Sequence, residues 1–195
     1  MSADRNPLVE EAARIVCSEA LTDYRAAKLK AVQRLGLSPH ATALPDNAQI
    51  DAAVVSYLQL FGGPAYQQRL QRLRRLAVQL MRRLAPFEPR LTGGAVSGAV
   101  TMAHRLQLHV FAEQSEAVDV FLIEQGLPFE LSERRYRYPD GREETMPLMQ
   151  LEIDGLGVDI AVFALDDLRR TPLSPQDGRP YRRLNLAAAE ALAAD

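Results

Sequence analysis

Leu91-Thr92-Gly93-Gly94-Ala95-Val96-Ser97-Gly98 divides this chain of 195 residues into two kinds of pattern. Ahead of it, apolar residues recur every three or four positions, the helical period; after it they alternate, the period of a strand. Upstream, Pro64 opens a helix whose buried stripe is Leu70, Leu73, Ala77, Leu80 and Leu84, closed by Pro86 and Pro89. Downstream, Leu106 to Phe111 alternates apolar and polar residues. The stretch is predicted to follow a strand and to open a short helix. Paired glycines there serve either a plain tight turn or a close approach of backbone to a phosphate, with the helix amides facing the anion.

The flanking segments extend the pattern. Asn6 suits a cap and Pro7 a first helical turn, and Ala12, Val16, Ala20, Tyr24, Ala27, Ala31 and Leu35 predict one amphipathic helix that stops at Gly36 and Ser38-Pro39. Cys17 borders that stripe as a buried thiol. Asp46 caps a second helix that runs to Gly62-Gly63. Past Phe111, Ser115 caps a short helix closed by Gly126, and Arg135 to Tyr138 alternates up to the turn Pro139-Asp140-Gly141. Met149, Leu151 and Ile153 form another strand, and Val158 to Phe163 a further one after Asp154-Gly155. A Pro-rich stretch, Thr171 to Pro180, leads to an Ala-rich terminal helix. The expected class is α+β: a helical N-terminal part over 1–63, then a mixed β-sheet flanked by helices over 64–195, together one compact unit.

Composition excludes several classes. With 47% hydrophobic and 25% charged residues, the chain is neither disordered nor fibrous. A single cysteine rules out an intrachain disulfide and a cysteine-cluster metal site. No apolar run has the roughly 18 residues of a membrane span, and Met1 to Pro7 lacks the layout of a signal peptide, so a cytoplasmic protein with no membrane partner is expected. The net charge of −2 is uneven: Arg69, Arg72, Arg74, Arg75, Arg82, Arg83 and Arg90 stand against Glu88 alone. That basic segment, 64–85 above all, suits either a nucleic-acid interface or a solvated face balanced by the acidic remainder. Arg134-Arg135-Tyr136-Arg137-Tyr138 reads equally as a stacking platform for single strands or as a solvent-facing hairpin.

From the Gly pair to the strand Val158–Phe163, the chain resembles the nucleotidyltransferase superfamily typified by DNA polymerase β. That family places Gly-Gly or Gly-Ser about ten residues before a strand with two acids, and a third acid on a neighbouring later strand. Here the pair is Gly93-Gly94 and the first strand carries Arg105, Gln107 and His109; the later strand carries Asp159. The resemblance covers about residues 64–165. It implies the family's fold and a phosphate-bearing substrate. In such enzymes the acids hold two magnesium ions, and two of the three acids are missing here. The expectation is a protein without standard metal-dependent transfer and with no cofactor. It binds a nucleotide or phosphorylated small molecule through Gly93, Gly94, Ser97, Arg105, Gln107, His109 and Arg179, and Asp159 is the one retained catalytic acid. Arg105 either pairs with Asp159 where a metal would sit or binds phosphate directly. Two alternatives stand beside it: a nucleic-acid-associated interaction module using the basic helix, and an active transferase with atypical residues, for which magnesium would be needed. His109, with only His40 and His104 as companions, suits a hydrogen-bonded structural role better than a metal site. Nothing in these residues fixes the oligomeric state.

Overall fold

A computed structural model describes residues 6–38 and 42–194, in seven α-helices and one five-stranded sheet among those residues. Pro39 and His40 lie outside the described residues. The chain divides into two compact units: the first takes the chain up to Arg69 together with 98–104 and Pro175–Arg179, and the second takes Leu70–Ser97, Arg105–Ser174 and the chain from Pro180 onward.

The first unit is helical. The single helix expected from Ala12 to Leu35 is two: α1 (Pro7–Ser18), capped by the Asn6 side chain, and α2 (Tyr24–Arg34). The break has a local cause. Ala20 takes φ 51°, which lets the Leu21 N–H reach back to the Val16 carbonyl at 3.1 Å, and Asp23 then caps α2 by accepting from the Arg25 and Ala26 amides. Helix α3 (Asn47–Phe61) starts on the expected Asp46 cap, which the structure shows as a reciprocal capping box with Gln49. Ile15, Val16, Ala27, Ala31, Ile50 and Val54 are fully buried in this unit's core. Each branched side chain among them contributes roughly 1.5–3 kcal/mol on leaving water. Cys17 packs against the same core, and burial pushes its thiol up to about 11, which keeps it protonated and unreactive.

Helix α4 (Gly63–Arg83) contributes its part from Leu70 onward to the second unit. It is followed by β1 (Arg90–Thr92), the single turn α5 (Gly94–Ser97), β2 (Leu106–Phe111), α6 (Glu116–Glu124), β3 (Glu130–Arg137), β4 (Glu143–Ile153), β5 (Leu156–Phe163) and α7 (Leu186–Ala194). Strand order is β1-β2-β5-β4-β3; β2 and β5 are parallel and the other pairs antiparallel. Both β3 and β4 begin earlier than the alternation suggested. Pro147 is tolerated within β4 because the pairing with β5 begins only at Leu148, so its missing N–H leaves no ladder bond unmade. Asp154 and Gly155, both at positive φ, turn β4 tightly into β5.

Because side chains alternate across a pleated sheet, the register assigns two faces. One carries Leu91, Leu106, Leu108, Val110, Val158, Ile160, Val162, Met149 and Leu151, all at most 3% exposed. The buried stripes of α4 (Leu73, Leu76, Ala77, Leu80) and α6 (Val118, Leu122) are the apolar surfaces available to close it. The other face is mixed. Its half towards the ends of β2 and β5 is an aromatic cluster of Phe111, Phe163, Tyr136 and Tyr181; its half towards their starts is polar.

Candidate functional site

Parallel pairing of β2 with β5 sets Gln107 directly opposite Asp159, and antiparallel pairing sets Gln150 opposite Asp159 from the other side. With Thr92 opposite Gln107 on β1, the polar half-face becomes a row of Thr92, Gln107, Asp159 and Gln150. Asp159, 3% exposed, is its electrostatic centre. Arg105, at the foot of β2, donates Nε to Oδ1 at 2.6 Å; Arg134 of β3 donates Nη2 to Oδ2 at 2.5 Å; Gln150 Nε2 adds a longer bond of 3.4 Å. Both carboxylate oxygens are therefore held by guanidinium groups.

Arg105 is committed almost completely. Besides Asp159 it donates to the Glu152 carboxylate at 2.7 Å and to the Leu151 and Val158 carbonyls. Burial works against its charge, but the hydrogen bonds to Asp159 and Glu152 outweigh this and hold it firmly protonated. Its side chain crosses Gly157, where an added Cβ would collide with the Arg105 guanidinium, so the glycine makes room for it. Arg134 behaves likewise: burial opposes its charge, and Tyr136 and Asp159 restore it.

The glycine turn abuts this row. Gly93 has φ +71°, and a Cβ there would lie 2.7 Å from Oε1 of Gln107, an atom that is buried and has no hydrogen-bond partner among the described residues. Gly94 and Ser97 begin and end α5, the single turn that follows. Beside the row lies a cleft of about 480 Å³ lined by Arg105, Phe129, Glu130, Gln150 and Glu152.

His109 belongs to the other half of this face. It is 1% exposed, stands edge-on or tilted to Tyr136, Phe163 and Tyr181, and accepts at Nδ1 from Arg183 Nε at 3.1 Å. Burial, then Arg183 and Arg134, hold its pKa well below the usual imidazole value, so it is a neutral acceptor. Arg183 lies over the Phe111 and Phe163 rings, and desolvation brings its own pKa down to about 10. Arg179 is exposed, in an Asx turn with Asp177, and belongs to the first unit.

Six of the seven arginines of the basic segment are engaged within the protein. Arg69 donates to the carbonyls of Thr101, Met102 and His104. Arg72 donates to Asp154, Arg74 to Ala95 and Leu192, and Arg83 to Gln125, in each case to a backbone carbonyl. Arg82 pairs with Glu190 and Arg90 with Glu88. Several of these carbonyls end helices, where a cation is favoured. The Arg134–Tyr138 stretch presents no stacking platform: Tyr136 and Tyr138 are 3% and 2% exposed, while Arg135 and Arg137 turn to Glu143.

A magnesium ion, which the family resemblance implies, requires several hard oxygen ligands. Asp159 has both oxygens engaged, its neighbours are an amide and a guanidinium, and among the described residues no group of three His, Cys, Asp or Glu could hold a metal. These residues do not fit the ion.

Searches among protein-family models and curated proteins return no match to this chain. No helix among the described residues is long and apolar enough to cross a membrane. Arg134 and Gln150, the further partners of Asp159, and Arg183, the partner of His109, were not singled out for these roles from sequence. Strand register brings them in, and a single charge or amide in an alternating run does not announce its register.

Proposed function

We propose that this chain is a nucleotidyltransferase-like protein in which an arginine–aspartate–arginine cluster replaces the metal site, leaving a ligand-binding protein without standard metal-dependent transfer. The observation that carries the reading is the double clamp on Asp159, with Gln107 as its direct neighbour where a metal site would need an acid. The order helix, glycine turn, strand, and then a parallel acid-bearing strand supports the resemblance.

The ligand class is a nucleotide or another phosphorylated small molecule. Arg105 has four of its N–H groups donated inside the protein, so Arg134, about one-third exposed, is the cation that meets a phosphate. Phe129 offers an aromatic face in the cleft, and Gln150 offers an amide to a base or sugar.

A thermal-shift panel of nucleoside mono-, di- and triphosphates and phosphorylated sugars tests this. A ligand at a hundred times its Kd stabilises by about 2.7 kcal/mol, several degrees for a domain of this size. Stabilisation by one class, weakened in Arg134→Ala and Gln150→Ala, is the expected result. No shift with any of them would sink the ligand assignment, and pyrophosphate release from a triphosphate would favour an active transferase instead.

A further inference from the structure

Strand β3 forms one edge of the sheet, and its outer side is only partly covered. Leu173 closes the far end, donating its N–H to the Arg137 carbonyl at 2.7 Å. Backbone groups point alternately to the two sides of a strand in an antiparallel ladder. With Arg137 directed outward, the N–H and C=O groups of Leu131, Glu133 and Arg135 are directed outward as well, and no strand pairs with them among the described residues. Their side chains share the apolar face of the sheet. Leu108, Ile160 and Met149 run across that face, each fully buried, and the row ends on Leu131, which is 64% exposed. Ile123 and Val120 of α6 add further exposed apolar surface in the same unit, at 68% and 53%.

We propose that this edge is a self-association surface on which a second copy of the chain pairs β3 to β3, antiparallel, extending the sheet across a two-fold axis. Charge order along the strand argues for that occupant. Glu130 and Glu133 lie in its first half, Arg135 and Arg137 in its second, so a strand of opposite direction with the same sequence presents opposite charges. A two-fold axis perpendicular to the sheet pairs residues of equal parity, because opposed residues share a face. Centred on Arg134, it sets Glu133 of each copy against Arg135 of the other. Both residues direct their backbone groups outward, so the two pairs together make four backbone hydrogen bonds. The Arg134 side chains are drawn towards Asp159. Arg135 is 74% exposed and reaches Glu143 only at 3.4 Å, so it is free to change partner. In this register Leu131 of each copy stands opposite Arg137 of the other, so Leu173 gives up its bond to the Arg137 carbonyl to the incoming strand and Leu131 is covered by it.

The test is molar mass by light scattering over a concentration series, with Glu133→Arg, Arg135→Glu, the double swap, and Leu131→Glu. A dimer is expected in the wild type. Each single charge reversal should weaken it about tenfold, since each replaces two attractive pairs by two repulsive ones. The double swap should restore it, because exchanged charges are again self-complementary. Leu131→Glu should dissociate it with the circular dichroism of the folded chain unchanged. A wild type that stays monomeric at its highest soluble concentration overturns the proposal. So does a dimer that ignores these variants, or singles that weaken it without rescue by the double.

Discussion

Arg105 Nε stands 2.6 Å from Oδ1 of Asp159, a carboxylate with 3% exposure whose second oxygen is held by Arg134. An acid so enclosed is stable only while the guanidinium groups remain, and they in turn depend on it. The cluster ties Arg105, at the foot of β2, and Arg134 of β3 to the one buried acid of β5.

Removing the acid exposes that dependence. Asp159→Ala leaves Arg105 and Arg134 facing each other without their shared partner, and the expected loss is about 2–3 kcal/mol, at the low end for buried pairs because both arginines are about one-third exposed. Asp159→Asn keeps one acceptor oxygen and should lose less. Urea unfolding curves for the two variants decide it; equal, near-zero effects would show that the cluster carries no stability.

Gly93 is constrained twice, by φ +71° and by Gln107. Gly93→Ala should cost about 1–2 kcal/mol from the left-handed backbone, plus whatever moving the Gln107 amide requires. Adding Gln107→Ala should recover only the second part. Full recovery in a thermal melt would show that the backbone angle carries none of the cost.

His104 gives a pH dependence with a definite sign. Burial, then Arg69, lower its pKa to about 4, and Nδ1 accepts from the Thr101 amide. Between about 6.5 and 4 the unfolded chain binds a proton that the folded chain refuses, so the stability is complete above pH 6.5 and is lost as pH falls towards 4. The loss approaches about 3 kcal/mol, with His109 adding to it in the same direction. The slope of urea midpoint against pH should flatten in His104→Gln; an unchanged slope would remove His104 from the account.

The arginine-rich helix is expected to bind nucleic acid poorly, because Arg69, Arg72, Arg74, Arg82, Arg83 and Arg90 already have acceptors within the protein. Anisotropy of a labelled oligonucleotide should show little binding at physiological salt. Tight binding with a steep salt slope would restore the basic face as an interface.

How much of this was legible in sequence depends on the range of the interaction. The caps at Asn6 and Asp46, the turns at Gly126 and Gly141 and the strand Leu106–Phe111 were all readable, because each is fixed by neighbours in the chain. The break between α1 and α2 was not, since Ala20 at φ 51° has no sequence signature and the stripe runs on across it. At the site, a contact between Arg105 and Asp159 was one of the two alternatives that the resemblance implied for Arg105. Arg134 and Gln150 were not legible, because their arrival at Asp159 depends on the registers of β3 on β4 and β4 on β5. For the basic segment, sequence shows seven arginines but not the carbonyls that take up Arg69, Arg72, Arg74 and Arg83.

The claim that the arginine clamp has replaced a metal site is tested most directly by comparing the thermal shift given by a bound nucleoside triphosphate in magnesium with the shift in a chelator. Equal shifts are expected, both reduced in Arg134→Ala. A shift that appears only with magnesium and disappears in Asp159→Asn would contradict it.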